Sequence, residues 1–571
     1  MPLDLAAVRP RRYASEDTSS TSPRELRGWY AYGIAAEVFA VVGTGLFLPV
    51  TLEQLARERG VLFSDHSHAC VDAVSARADD SAARQCVVRF LGARITTASF
   101  AMYTQSAAVL VQALTLVCCS SFADHGPWRK KMLMGFGYLG AVMSTLFVFV
   151  GPGMWFLAPG LVVVGVTCLG CSFTLLNAFL PLLVANCEGG KERGEEFELE
   201  VLDEGDGDGD GDGDGDGDGK GEDPERLARD LKRSAKISSR GVGLGYMAAV
   251  FVQVLSVIFL FLMSKTSIPK SSPTLPMRMI LFFVGVWWAT FSIPTLLWLR
   301  PRPGPPLPSQ SKRSHPQTTL STLLFYARFS FASFWRTLKR ALRLRQVVVF
   351  LISWFLLSDA VATISGTAVL FARTELKMGT IAVAFLSITS ISFGMIGAFA
   401  WPRVAAHFGA QPKTVLLFCV ALMEVIPLYG LLGYIPFIRS WGVGGLQKPF
   451  EIYPLGVLHG CAMGGISSYA RSVYAPLIPE GSEAAFFALY AVTDKGSSAF
   501  GPALVGTIVD RAGSIRPAFI FLAVLVLCPV PLLWVLNMEK GREDAAGMAT
   551  EERMMDRGDG YGRVDQEDRA D

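Results

Sequence analysis

The sequence predicts an all-α integral membrane protein with about twelve transmembrane helices, built as six plus six in a major-repeat plan. Three observations carry that prediction. The chain of 571 residues is 51% hydrophobic and only 18% charged. Its apolar residues gather into runs of about 20, the length that crosses a hydrocarbon core of about 30 Å; helices supply such spans because lipid offers the backbone no other partners. A long basic segment near the middle, Arg300 to Arg345, separates the runs into two sets.

Taken in order, the candidate spans of the first half are 28–52, 98–120, 132–151, 154–184, 238–264 and 277–299. Before them, residues 1–27 are basic and Ser/Thr-rich with no apolar centre, so a disordered cytosolic tail is expected and the first span serves as its own insertion signal. The connection 53–97 carries Cys70 and Cys86, for which a disulfide and two free thiols both stay open. The second span ends in FADHGPWRKKM, with Asp124, Arg129 and Lys130. The fourth is overlong, with a break expected near Gly170 or before Pro181.

Residues 185–236 form an acidic insertion containing DGDGDGDGDGDGDG, Asp206 to Gly219. A calcium loop fits part of it, but Gly221 and Pro224 stand against that, and a solvated linker is the preferred reading. No metal is assigned.

The second half carries spans 346–371, 379–400, 413–437, 451–475, 484–509 and 515–537, then a tail at 538–571 expected to be disordered and cytosolic. Its second connection, FAWPRVAAHFGAQPK, repeats the basic hairpin with Arg403 and Lys413. Gly456, Gly460 and Gly464 recur every fourth residue in the tenth span, a spacing that lets helices approach closely and suits packing or a rocking interface. In the central segment 300–345, LSTLLFYARFSFASFWRTLKRALRLRQ interleaves apolar with basic residues, as an amphipathic helix at anionic headgroups does. The excess of Lys and Arg in this segment and in the hairpins places both termini in the cytosol.

Charges inside spans are costly in lipid and mark a partner or a wet cavity. Glu37, Asp359, Asp494 and Lys495 are the candidates for binding cargo or a proton, with acids on both halves and a lysine able to complement a zwitterion. Glu424 and Arg471 are read as structural or gating groups, together with the hairpin residues Asp124, Arg129, Lys130 and Arg403. No lipase elbow, phosphate loop or metal-ligand cluster is present, so an enzyme is not expected, nor a cofactor, a nucleic-acid partner or an obligate protein partner.

The paired hairpins resemble those of the major facilitator superfamily, with altered spacing in the first and only Arg403, Gly409 and Lys413 kept in the second. Several longer stretches resemble one family within it: GWYAYGIAAEVFAVVGTGLFLPVTLEQLARERG, LLNAFLPLL, SSRGVGLGYMAA, GVWWATFSIP, FLISWFLLSDAVATI and LIPEGSEAAFFALYAVTDKGSSAFGP. They are similar to the fungal vacuolar amino-acid effluxers of the autophagy-related protein twenty-two family. The resemblance implies a multi-pass protein of the vacuole membrane that exports amino acids such as leucine to the cytosol. Protons and membrane lipids are the further partners expected. A carrier of another small polar solute, and a non-transporting receptor in the breakdown of autophagic bodies, remain the alternatives.

Overall fold

The computed structural model describes residues 17–62, 86–90, 93–187, 224–266, 274–304, 319–376, 378, 380–497, 501, 504–505, 507–508 and 515–551. In the first half the helices are α1 (Pro23–Arg57), α2 (Thr97–Ala123), α3 (Trp128–Leu146), α4 (Ala158–Asn177, continued by Leu180–Ala185), α5 (Pro224–Ser264) and α6 (Leu275–Phe291, continued by Ile293–Trp298). Then come the connecting α7 (Thr319–Arg343) and the second half: α8 (Arg345–Thr374), α9 (Thr380–His407), α10 (Pro412–Leu432), α11 (Ile452–Tyr474), α12 (Glu483–Ser497) and α13 (Ala518–Leu527, continued by Pro529–Val535). A last helix, α14, covers 538–551. Among the described residues, nine helices are long and apolar enough to cross a membrane. The all-α membrane bundle expected from composition is therefore present.

Local chemistry sets where these helices start and break. The Ser22 side chain accepts a hydrogen bond from the Glu25 amide and Pro23 occupies the first turn, both favourable at a helix start. Inside α1, residues Phe39–Phe47 widen into a π-helical segment just past Glu37. Such bulges are frequent at functional sites. The overlong fourth span breaks at Ala178–Phe179, ahead of Pro181, which has no amide hydrogen to continue the ladder. Pro294 and Pro529 end the first segments of α6 and α13 in the same way.

The two halves repeat a closing contact. Lys130, at the start of α3, donates to the Leu296 carbonyl at the end of α6 (2.7 Å). Lys413, at the start of α10, donates to the carbonyls of Trp534 and Leu536 at the end of α13 (2.8 and 2.6 Å). A cation on the last carbonyls of a helix is favourable in either half.

Four expectations change. The connection 53–97 holds a small antiparallel sheet, β1 (Val61–Leu62), β2 (Cys86–Phe90) and β3 (Ala93–Thr96), with Val61 paired to Val87 and Val88 to Ile95. The acidic insertion ends earlier than 236, because α5 begins at Pro224 and Leu231, Ala235, Ser238 and Ser239 are already buried. Residues 17–27 of the expected N-terminal tail are ordered: Arg302 donates to the carbonyls of Asp17 and Ser19 and forms a buried ion pair with Glu25 (2.8 Å). At the other terminus, 538–551 is helical rather than disordered, since Met538, Ala545 and Ala549 are buried and Arg542 reaches Asp230 of α5 (3.7 Å).

The amphipathic helix of the central segment forms as α7 and packs against α2, α8 and α12, with Phe331, Trp335 and Leu342 left exposed beside Arg336, Lys339 and Arg343. The Asp-Gly run, Cys70 and the side chains of Cys86 and Lys495 lie outside the described residues.

Candidate functional site

The site assembles from one stripe on each of several helices. On α11, His459, Met463, Ser467 and Arg471 recur every fourth residue and are all half-buried, while most of their neighbours from Gly464 to Tyr474 are fully covered. Residues at this spacing share a helix face. On α8, Ser358 and Ser365 are seven residues apart, two helical turns, and lie on one face as well.

At the level of Arg471 the two halves meet. Its guanidinium donates to the Asn177 side chain at the end of α4 (2.7 Å) and to the Ser467 carbonyl (3.1 Å). Glu37 of α1 and Tyr246 of α5 are within electrostatic reach of it, and the Tyr246 hydroxyl lies 3.3 Å from Ser467 Oγ. Glu37 itself packs on Gly245, where an added Cβ would meet its Cβ and Cγ at 3.1 and 3.2 Å. Tyr490 of α12 completes the wall, stacked on Trp354 and Tyr474. Thus Glu37 and Arg471, an acid and a base from opposite halves, share one polar interior. The sequence placed Arg471 among gating groups; here it stands beside a candidate binding acid.

Asp494 and Asp359 sit apart from this pair. Asp494 accepts from Ser358 Oγ (2.5 Å) between α12 and α8. Asp359 is buried and accepts from the Gly501 amide (3.0 Å), so it joins α8 to the chain beyond α12 inside one half. Glu424 is 7% exposed, and neither carboxylate oxygen has a hydrogen-bond partner among the described residues. It lines a groove between α10 and α13 with Val420, Leu527 and Trp534, away from the central stripe.

Below Arg471, toward the end that carries the termini, a latch closes the bundle. Arg129 is 2% exposed and bridges Asp124 (2.9 Å) and Glu483 (3.0 Å). Asp124 also accepts from the amides of Ala484 and Ala485 (2.7 and 2.8 Å), the first turn of α12, where a carboxylate offsets the helix dipole. The hairpin of the first half therefore grips the second half. Its counterpart is different: Arg403 is exposed and donates to Phe399 of its own helix. The glycines of α11 close onto α9, since an added Cβ would meet Ser390 O at 2.1 Å from Gly460 and Gly394 O at 2.2 Å from Gly464.

Glu483, the first residue of α12, and His459, one of six scattered histidines, carry no local sequence signal. His459 Nε2 lies 3.0 Å from Ser365 Oγ on α8, and Nδ1 lies 2.9 Å from Ser390 Oγ on α9.

Residues 21–546 match the protein family described as "Vacuole effluxer Atg22 like". The chain belongs to the Atg22 family. Among its relatives, Autophagy-related protein 22-1 of Phaeosphaeria nodorum is 64% identical over 574 residues, covering 98% of this chain and 97% of that one. Autophagy-related protein 22-1 of Sclerotinia sclerotiorum is 53% identical, covering 95% and 94%. Solved structures share the fold alone. The major facilitator proton:xylose symporter XylE superposes with a TM-score of 0.54 at 9% identity, covering 91% of this chain and 97% of its own. A bacterial homologue of the iron transporter ferroportin, in an outward-facing state, gives 0.52 at 10% identity, covering 90% and 98%. This Atg22 family member is a multi-pass membrane transporter of major facilitator fold.

Proposed function

We propose that this chain exports amino acids, leucine and other neutral residues among them, from the vacuole lumen to the cytosol by alternating access. Both termini lie in the cytosol, so the Arg129 latch closes the cytosolic end. The observation that carries the reading is the placement of Glu37 and Arg471 on opposite halves within electrostatic reach of each other. A free amino acid is a zwitterion, and this pair offers an acid for its ammonium and a guanidinium for its carboxylate. Arg holds a carboxylate through two parallel hydrogen bonds, which fixes orientation as well as charge.

Cargo that bridges the halves also has something to move. Taking the Arg471 guanidinium from Asn177 loosens a contact between α4 and α11. Asp494 ties α12 to Ser358 of α8, and Asp359 holds α8 to the chain beyond α12. Such a carrier returns the products of autophagic breakdown to the cytosol.

The test is efflux of labelled leucine from proteoliposomes of purified full-length protein. Wild type should release leucine faster than empty vesicles. Arg471→Ala and Glu37→Gln should each lose most of that flux, and Arg471→Lys should recover only part, because an ammonium lacks the planar fork. Full flux in Arg471→Ala would overturn the zwitterion site, and no flux of any amino acid in wild type would overturn the transport assignment.

A further inference from the structure

We infer that His459, held between Ser365 and Ser390, is a proton-binding site of this transporter. The inference rests on the transport reading above and adds the group that would couple it to a pH gradient.

The hydrogen-bond pattern assigns the imidazole hydrogens. Ser365 Oγ has one hydrogen and donates it to the Val361 carbonyl at 2.9 Å, since a carbonyl can only accept. Ser365 Oγ therefore accepts from His459 Nε2–H. Nδ1 is then the bare nitrogen, and it accepts from the Ser390 hydroxyl. In this neutral form both ring nitrogens are satisfied.

Proton uptake needs one local change. A proton arriving by water forms an N–H bond at Nδ1, and no bond of the protein breaks. The Ser390 hydroxyl turns, accepts from the new Nδ1–H, and directs its own hydrogen to the carbonyl one helical turn earlier, at Leu386, the usual partner of a helical serine. The imidazolium then has two hydroxyl acceptors and no unpaired donor. A histidine between a backbone amide and an apolar wall lacks this reversibility.

The position fits loading from the lumen. His459 lies seven residues from the start of α11 and twelve from Arg471, about 18 Å along the axis toward the end opposite the latch. It is half-buried on the same stripe as Ser467 and Arg471. The next residue, Gly460, sits at a close approach of α11 to α9, against Ser390 O. A turn of the Ser390 hydroxyl thus occurs at a close helix–helix contact, and Ser365 shares its α8 face with Ser358, which holds Asp494.

Titratable groups on the surrounding helices include Asp359 on α8, Tyr246 on α5, and Cys419, Glu424 and Tyr429 on α10, with Tyr453, Cys461, Tyr469, Arg471 and Tyr474 on α11 itself. On α9 they are Arg403 and His407, both at the terminal end. Asp359 is engaged by the Gly501 amide, Tyr246 by Ser467, and Tyr453 by the Ala382 carbonyl.

The experiment measures leucine efflux and internal pH together in proteoliposomes of the full chain, over a series of lumenal pH values. Wild type should show faster efflux at acid lumenal pH with proton release from the vesicles. His459→Gln should abolish the pH dependence, so that flux with and without the gradient differs by a factor near one. Ser390→Ala, which keeps the imidazole, should move the half-maximal pH toward acid by about one unit, because the lost bond is charge-assisted only in the protonated form. Histidine hydrogen-exchange mass spectrometry on wild type should place the His459 titration at the midpoint of the transport profile. An unshifted profile in Ser390→Ala, an unchanged gradient response in His459→Gln, or wild-type efflux indifferent to the gradient would each overturn the proton site while leaving leucine transport standing. Absence of amino-acid flux in wild type would instead remove the reading beneath it.

Discussion

Arg129→Ala should open the latched end of the transporter. Arg129, Asp124 and Glu483 are each no more than 4% exposed, and the guanidinium is the cation between two carboxylates from opposite halves. Removing it leaves Asp124 and Glu483 buried together without it. Breaking a buried ion pair by deleting one partner costs about 3–5 kcal/mol. Here the amides of Ala484 and Ala485 still hold Asp124, and that of Gly481 still holds Glu483, so the lower figure applies. Opening the end lets water reach both acids, which relieves the penalty only in the open form. A difference of about 3 kcal/mol shifts the equilibrium toward that form by about 150-fold. The assay places a cysteine at Ser467, behind the latch, and follows its modification by an impermeant thiol reagent from the side of the termini, with the site read by mass spectrometry. Modification should accelerate by at least an order of magnitude over the same cysteine in the wild-type background. An unchanged rate, in protein that remains folded, would refute the latch.

Other perturbations follow from the same packing. Gly460→Leu should prevent accumulation of folded protein, because even its Cβ would meet the Ser390 backbone at 2.1 Å and backbone does not give way; size-exclusion of the detergent extract checks it. Glu424→Leu should raise the thermal midpoint, since a buried polar group without a partner costs about 1–3 kcal/mol. A fall in that midpoint would show that the acid is paired. Lys130→Ala and Lys413→Ala should each lower the midpoint by a similar amount, equivalent to about 1.5–3 kcal/mol for a charged hydrogen bond; strongly unequal losses would contradict the repeat.

Spans, the central division and the amphipathic α7 were legible because hydropathy and charge patterns are local properties of the chain. The break before Pro181 was legible for the same reason: a missing amide hydrogen acts wherever it is placed. Glu37 could be singled out as an intramembrane acid, but its relation to Arg471 depends on how α1 and α11 approach, which no local pattern encodes. Asp359 looked equivalent to Glu37 by position in the halves, yet it is occupied by the Gly501 amide. Glu483 carries no local signal because an acid in the first turn of a helix is ordinarily solvated; burial against Arg129 is a property of the folded hairpin. His459 was passed over because a lone histidine says nothing until two hydroxyls from different helices are seen to bracket it. The helix at 538–551 was missed because its charged composition hides three buried positions, Met538, Ala545 and Ala549.

The lysines at the starts of α3 and α10 have a consequence for how this chain can be divided. Each fastens the third helix of its half to the sixth, so each six-helix unit is tied shut by a contact of its own. Covalent continuity through the central segment is then a matter of co-delivery rather than architecture. Two separately translated polypeptides, one ending at Gly304 and the other beginning at Thr319, carry every contact named here between the halves and would meet in the membrane as a heterodimer. A gene split or fused at that point would leave each of those contacts in place.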